Sequence, residues 1–292
     1  MTTDMKVSII VVNFNGARHT LACVASIRAF APSCEHEIIV VDNKSSNEER
    51  DELVRHLPDC TILFSGTNLG FGGANNLGAK HAQGEFLFFL NNDTLLTTDT
   101  LSRLVDELDR NHTIGILGPA LQNADGTFQM SFGLFPSLIS EWQTKRLGKR
   151  FNHRNINVKE VVEDWMHEWI TGAALMIRKE CFDRLGGFDP SYFMYFEDVD
   201  LCYRAYQFGC GIGYDADCSL VHLGGMSYSS GESVVQSEYR RSQLRFYDKF
   251  RFRPERLLLR VYLFLEALLG LFRSGKQTAA AVIGLVFKYH GK

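Results

Sequence analysis

The chain has 292 residues, 45% hydrophobic and 22% charged, which is ordinary for a globular protein and long enough to bury a sizeable core. A formal net charge of −3 offers no support for a general nucleic-acid binder, so that class of partner is set aside. Seven cysteines, an odd number with no CxxC pair, point to reduced, cytosolic thiols and away from a disulfide framework or zinc ribbon.

The N-terminal stretch MTTDMKVSIIVVNFNG lacks the flanks and cleavage site of a signal peptide, and its apolar run reads as a buried strand over Val7–Val12. That run breaks at Asn13-Phe14-Asn15-Gly16, and a helix is expected over 17–30, ended by Ala31-Pro32. A strand over 37–41 ends in Asp42-Asn43, a helix follows over 47–56, and a third strand covers 61–64. Residues 65–73 read as a loop leading into a helix that reaches about His81. Then Phe86 to Leu90 stop abruptly at Asn91-Asn92-Asp93, the pattern of a strand covered on both faces that ends in a polar turn. A helix over 99–110 and a strand over 114–117 complete this half.

Such alternation means βαβ units and a mostly parallel sheet, whose right-handed crossovers bring strand ends to a common rim. Ligands collect at the carboxyl ends of strands, and Asp42 and Asp93 both stand just past one. Beside its two amides, Asp93 offers hard oxygens to a divalent cation, or else closes an Asx turn. Asp42 suits the imide N–H of a pyrimidine base, or else caps the next helix. The loop Asn68–Gly78 is rich in glycine and asparagine, fit for close approach to a nucleotide or for a plain tight turn. It is not the dinucleotide fingerprint, because Asn75 occupies the third glycine position, and no P-loop occurs anywhere.

Past Asp125 the alternation loosens. A helix with a basic end is expected over 135–150, a polar loop over 152–164, strand character over 165–177 around Thr171-Gly172, and a short helix over 179–184. The second focal stretch runs from Tyr192 to Arg204, where Glu197, Asp198 and Asp200 follow an aromatic lead-in. On a helix Glu197 and Asp200 share a face, with Arg204 an i,i+4 partner for Asp200. Clustered carboxylates raise one another's pKa and make a usable proton acceptor, though acids also favour helix N-termini through the dipole. A strand over 217–222 delivers His222, and a helix over 233–250 carries Arg240, Arg241 and Arg245, which either neutralise a diphosphate or form a solvated face. Residues 256–272 are apolar nearly all round, interrupted by Arg260 and Glu266. Each charge would cost about 2.5–3.5 kcal/mol near a bilayer centre, so a membrane-spanning helix is not expected. An interfacial helix with snorkelling cations, burial against the main domain and a dimer contact all suit this segment.

Taken together, VSIIVVNFNG (7–16), VVDNKS (40–45), NLGFGGANNLG (68–78), FLNND (89–93), WITGAALMIRKE (169–180) and LGGFDPSYFMYFEDVDLCYR (185–204), with His222 beyond, resemble in identity and order the motifs of family 2 glycosyltransferases, in the branch of bacterial rhamnosyltransferases. The resemblance covers about residues 6–250. It implies an α/β GT-A fold over 1–250, with a nucleotide-sugar-binding half (1–120) and an acceptor and catalytic half (121–250), followed by a helical tail over 251–292. It further implies inverting transfer from a nucleotide-diphosphate sugar, best matched by dTDP-L-rhamnose with a UDP-sugar as the alternative, and Mg2+ or Mn2+ as cofactor. The implied acceptor is a saccharide, polyprenyl-diphosphate-linked, at the inner face of the cytoplasmic membrane.

Residue by residue, the resemblance makes Asp93 the carboxylate of the metal motif, with asparagine in place of its first acid, and His222 a second metal ligand. Asp198 matches the general base; Asp42 matches the base-reading acid; and Asn13, Asn75 and Asn92 lie in nucleotide-contact motifs, although Asn75 stands where many relatives carry arginine. Trp169, Gly172 and Glu197 fall on the acceptor side. A sugar-nucleotide pyrophosphorylase would need a glycine- and arginine-rich loop where this chain has NFNGARHT, and a non-catalytic copy has no need of Asp93, Asp198 and His222 together.

Overall fold

The computed structural model describes residues 6–30, 33–141, 167–224, 232–273 and 276–288. The polar loop expected over 152–164 and most of the helix expected over 135–150 lie outside them; residues 134–137 are not helical. The strands are β1 (Val7–Asn13), β2 (His36–Asp42), β3 (Thr61–Phe64), β4 (Phe86–Asn91), β5 (Thr94–Leu96), β6 (Ile114–Gln122), β7 (Phe128–Gln129), β8 (Phe132–Gly133), β9 (Trp169–Ile170), β10 (Ala174–Arg178) and β11 (Gly211–His222). The helices are α1 (Ala17–Ala29), α2 (Asn47–His56), α3 (Gly70–Ala79), α4 (Thr100–Arg110), α5 (Lys179–Leu185), α6 (Glu197–Gln207), α7 (Glu232–Phe250), α8 (Arg253–Arg273) and α9 (Lys276–Lys288).

One sheet runs β3-β2-β1-β4-β10-β6-β11-β5, with β7 beside β6. It is parallel from β3 to β4, as the βαβ pattern predicts, but β10 enters antiparallel to both β4 and β6, and β5 antiparallel to β11. The alternating side chains of the central strands divide between two cores. Ile10, Leu87, Phe89, Leu175 and Ile177 join one core with Phe182, Phe188 and Leu201 of the later segments. Ile9, Val11, Phe86, Phe88, Leu90 and Met176 join another with Ile27 of α1 and Leu101, Leu104 and Leu108 of α4. Both faces are therefore covered, which is why these strands read as unbroken apolar runs. Thr171–Ala173 form a turn between β9 and β10 rather than a continuous strand.

The glycine-rich helix α3 begins at Gly70, earlier than the loop expected over 65–73. Gly70 has φ +72°, and a Cβ there would lie 2.2 Å from the Phe193 carbonyl oxygen. The close approach that Gly70 permits is to the chain's own segment ahead of the acidic helix. Gly70→Ala is expected to cost about 2–3 kcal/mol, from a strained φ and a backbone clash together, measurable by chemical denaturation.

The acidic helix α6 is anchored by its own charges. Asp200 is fully buried and accepts from Arg204 Nε (2.6 Å) and Lys249 Nζ (2.6 Å), while Arg204 also donates to the carbonyls of Leu185 and Gly187. The i,i+4 pair read from the sequence is present, and Lys249 of α7 completes it. Burial works against ionisation of Asp189, yet Lys249 and Ser191 hold its carboxyl down to about 2.

Of the basic cluster on α7, Arg240 and Arg245 pack against other elements, whereas Arg241 lies on an exposed face. Arg240 pairs with Glu266 of α8 (2.6 Å), Arg241 with Glu238 (3.0 Å), and Arg245 lies over the Tyr192 ring. Arg260 is bound to Asp248 and is no snorkelling cation. No helix among the described residues is long and apolar enough to cross a membrane.

Candidate active site

The rim where the strands end gathers most of the residues singled out in the sequence. At one side, the β1–β2 register sets Asn13 opposite Asp42. Both are fully buried. Asn13 Nδ2 donates to Asp42 Oδ2 (3.0 Å) and to Ser45 Oγ (3.0 Å), while its Oδ1 accepts from Thr20. Asp42 Oδ1 accepts from the Ser45 amide (3.1 Å) and from Arg50 Nε (2.7 Å). Asn92 is turned toward β1–α1, donating to the Gly16 carbonyl and to Thr20. Asn75 donates to the Phe71 carbonyl, and its buried Oδ1 has no partner.

At the middle of the rim β5 and β11 run antiparallel, placing His222 opposite Thr94, and the Leu223 amide donates to the Asp93 carbonyl. This ladder brings residues far apart in sequence to 3.2 Å, His222 Nε2 to Asp93 Oδ1. On the other ring nitrogen, Nδ1 lies 2.7 Å from Gln129 Oε1, an atom that only accepts, so Nδ1 carries the proton. His222 Nε2 is thereby turned toward the Asp93 carboxylate. Two electron-rich atoms so close need a proton or a cation between them. Two cis ligands at about 2.1 Å from one octahedral ion stand about 3 Å apart, so the pair fits Mg2+ or Mn2+. Asn91 Nδ2 is 3.3 Å from the same nitrogen, and the amide turned over would present Oδ1 there. No cluster of three or more His, Cys, Asp or Glu ligands occurs among the described residues. Burial alone would raise the Asp93 carboxyl, but the His222 contact holds it below the usual carboxylate range.

Gln129 escaped the sequence reading, since nothing in a two-residue strand distinguishes it. It orients His222 as second-layer carboxylates and amides orient metal-binding imidazoles. Gln129→Leu is expected to weaken Mn2+-dependent nucleotide binding about tenfold with little change in metal-free binding, read by calorimetry.

The third group is tied to the second by backbone. The Asn91 amide donates to the Ala173 carbonyl (2.9 Å), and the neighbouring Gly172 amide donates to Asp198 Oδ2 (2.8 Å). A Cβ on Gly172 would lie 2.9 Å from the Phe71 ring and 3.5 Å from Asp198 Cβ, so the turn holds the carboxylate closely. Burial raises the Asp198 carboxyl above its ordinary value, against the hydrogen bonds from Gly172 and Val199. Glu197 is buried, its Oε2 has no partner, and burial together with the Asp198 charge pushes its pKa well up. Trp169 uses its indole N–H on the Leu134 carbonyl and packs on Gly133.

Every non-glycine residue with positive φ among those described lies on this rim: Asn15 after β1, Lys44 after β2, and Tyr195 and Phe196 ahead of α6. Strained backbone of this kind clusters where a site is held in place. A buried acid–amide pair, a carboxylate–imidazole pair of a spacing that suits a cation, and a carboxylate of raised pKa thus share the rim of a parallel half-sheet.

The comparisons with known proteins agree. The model of glycosyl transferase family 2 matches residues 8–199, and the chain belongs to that family. It is 27% identical over 231 residues to N-acetylglucosaminyl-diphospho-decaprenol L-rhamnosyltransferase of Mycobacterium tuberculosis, spanning 73% of this chain and 75% of that one. It is also 27% identical over 195 residues to rhamnosyltransferase WbbL of Escherichia coli, spanning 64% and 72%. Among solved structures, a mannosyltransferase from Pyrobaculum calidifontis in complex with GDP-Man and Mn2+ superposes with a TM-score of 0.59 at 18% identity, covering 98% of this chain and 76% of that one. The protein is a family 2 glycosyltransferase of glycan biosynthesis.

Proposed function

We propose that the protein transfers L-rhamnose from dTDP-L-rhamnose, with inversion, to a hydroxyl of a polyprenyl-diphosphate-linked saccharide. The observation that carries this reading is the hydrogen-bonded path from Asp93–His222 through Asn91, Ala173 and Gly172 to Asp198, which sets a cation-binding pair and a proton acceptor on one rim. Asp93 and His222 would hold the divalent ion, which neutralises charge on the departing nucleoside diphosphate. Asp198 takes the proton of the acceptor hydroxyl as the oxygen bonds to the anomeric carbon and the bond to the diphosphate breaks. The Gly172 and Val199 amides fix its two oxygens so that the carboxylate need not reorganise.

The donor sugar and the lipid carrier rest on the relatives from M. tuberculosis and E. coli. Helix α8 supports a membrane-borne acceptor. Its Leu259, Leu263 and Ala267 are buried, whereas Leu258, Tyr262, Leu265 and Leu269 form an exposed stripe at helical spacing. A stripe of this kind lies along a membrane interface, here the inner face of the cytoplasmic membrane. Leu258→Glu with Leu265→Glu is expected to abolish flotation with anionic liposomes while leaving the melting temperature within about 3 °C, because neither side chain is in the core.

To test the function, the full chain is incubated with Mn2+, dTDP-L-rhamnose and N-acetylglucosaminyl-diphospho-polyprenol. A lipid product heavier by one deoxyhexose, with anomeric configuration opposite to the donor, is expected. Product only from UDP-sugars would discard rhamnose, and no product from any donor would overturn the proposal.

A further inference from the structure

Cysteine is a nucleophile that the rim does not use, and two of the seven meet elsewhere in the fold. Cys23 faces the Asn91 carbonyl and Thr94, Cys60 faces Arg28, and Cys202 faces the Ile170 carbonyl. Cys181 Sγ and Cys210 Sγ, both free thiols, stand 2.9 Å apart. Regular elements hold them there. Cys181 lies in the first turn of α5, which follows β10 directly. Cys210 closes the turn after α6: its amide donates to the Ala205 carbonyl (2.9 Å), and the Gly211 amide donates to the Thr113 carbonyl (2.9 Å). In β6, Gly115 faces the pair, and a Cβ there would lie 2.9 Å from Cys210 Cβ and 3.3 Å from Cys181 Sγ. A glycine at this point of the strand leaves room for both thiols. The place is the edge of the sheet where β6 and β11 begin, opposite the rim that carries Asp93 and Asp198. Cys181 is buried and Cys210 half-buried. Burial pushes the Cys181 thiol up to about 12, so Cys210 is the sulfur that an incoming reagent meets first.

We propose that Cys181 and Cys210 form a reversible dithiol–disulfide site, closed by low-molecular-weight disulfides, that staples α5 to the end of α6. Cys210, as the thiolate, attacks one sulfur of the reagent RSSR, whose S–S bond breaks; the departing thiolate takes up the proton that Cys210 gave to water. The Cys181 sulfur then bonds to Cys210 Sγ and displaces the second thiolate, which receives the Cys181 proton. Two protein thiols are oxidised and one RSSR is reduced to two RSH, so electrons and protons balance. Bond formation asks only that the sulfurs close from 2.9 Å to about 2.05 Å. The closed loop contains Asp198 and the positive-φ residues Tyr195 and Phe196, so the bond removes freedom from the unfolded chain around the catalytic segment.

The test is incubation of the full chain, reduced and then freed of reductant, with glutathione disulfide, followed by mass spectrometry and thermal melting. Wild type is expected to lose the mass of two hydrogens, to yield a peptide linking Cys181 to Cys210, and to melt about 5–10 °C higher until dithiothreitol reverses both changes. Cys210→Ser should show neither change. Cys181→Ser should keep one glutathione on Cys210 with no such rise in melting temperature. A crosslink between other cysteines, a wild type that stops at the glutathione adduct, or one that does not react would overturn the proposal. So would a Cys181–Cys210 bond formed with no rise in melting temperature, because nothing would then be stapled.

Discussion

Asp198→Asn is expected to lower turnover about a thousandfold while leaving dTDP affinity within about twofold, because the amide keeps the shape but cannot take the proton. Glu197→Gln, one residue away, is expected to keep activity within about threefold. The two carboxyls differ in what surrounds them. Asp198 has an amide donor on each oxygen, from Gly172 and Val199, which favours the anion. Glu197 has a buried oxygen without a partner, and burial with the Asp198 charge drives it toward the neutral acid, for which glutamine is a fair mimic. Two acids forced apart in this way take opposite protonation states.

The pH dependence follows with a definite sign. Asp198 must be ionised to accept a proton, and burial raises its pKa, so kcat/KM should fall with acidification through a pKa above that of an ordinary aspartate. Glu197 keeps its proton in the folded chain at a pH where the unfolded chain has lost it. Folding stability therefore declines as pH rises from the unfolded pKa of Glu197 toward the folded one. Glu197→Gln should lack that decline, seen as a flatter plot of denaturation midpoint against pH. An Asp198→Asn enzyme of wild-type turnover would remove the base from the account.

The second large effect concerns the cation. Asp93→Ala and His222→Ala are each expected to lower dTDP affinity about 10–100-fold in Mn2+ and to leave metal-free affinity unchanged. Each would remove one of the two donors proposed for the ion, 3.2 Å apart, and the remaining one would not hold it against water. Equal loss in the absence of metal would mean that the pair only props β5 against β11.

Much of this was legible in the chain itself, for physical reasons that also mark where it stopped. Strands β1, β2 and β4 are buried on both faces and therefore appear as unbroken apolar runs, and their polar ends mark the rim. Asp200 and Arg204 sit one helical turn apart, so local spacing revealed their pairing. Contacts made across the sheet leave no such trace. The antiparallel entry of β10 depends on the turn at Gly172, and Lys249 reaches Asp200 from a helix much later in the chain. Gln129 meets His222, and Arg50 meets Asp42, across separate elements, and neither lies in a motif. Arg240 and Arg260 look like surface charges in sequence because Glu266 and Asp248, which bind them, come from a neighbouring helix. The glycines of α3 are conspicuous, but only the fold discloses that Gly70 makes room for Phe193, Gly72 for Phe188 and Gly78 for Ile10.

The most direct check on the central claim is calorimetric titration of the full chain with dTDP, in Mn2+ and again in EDTA, for wild type and Asp93→Ala. Tight dTDP binding by wild type that depends on Mn2+, together with metal-independent weak binding by the variant, is the predicted result. Wild-type affinity that is the same in Mn2+ and EDTA would contradict it.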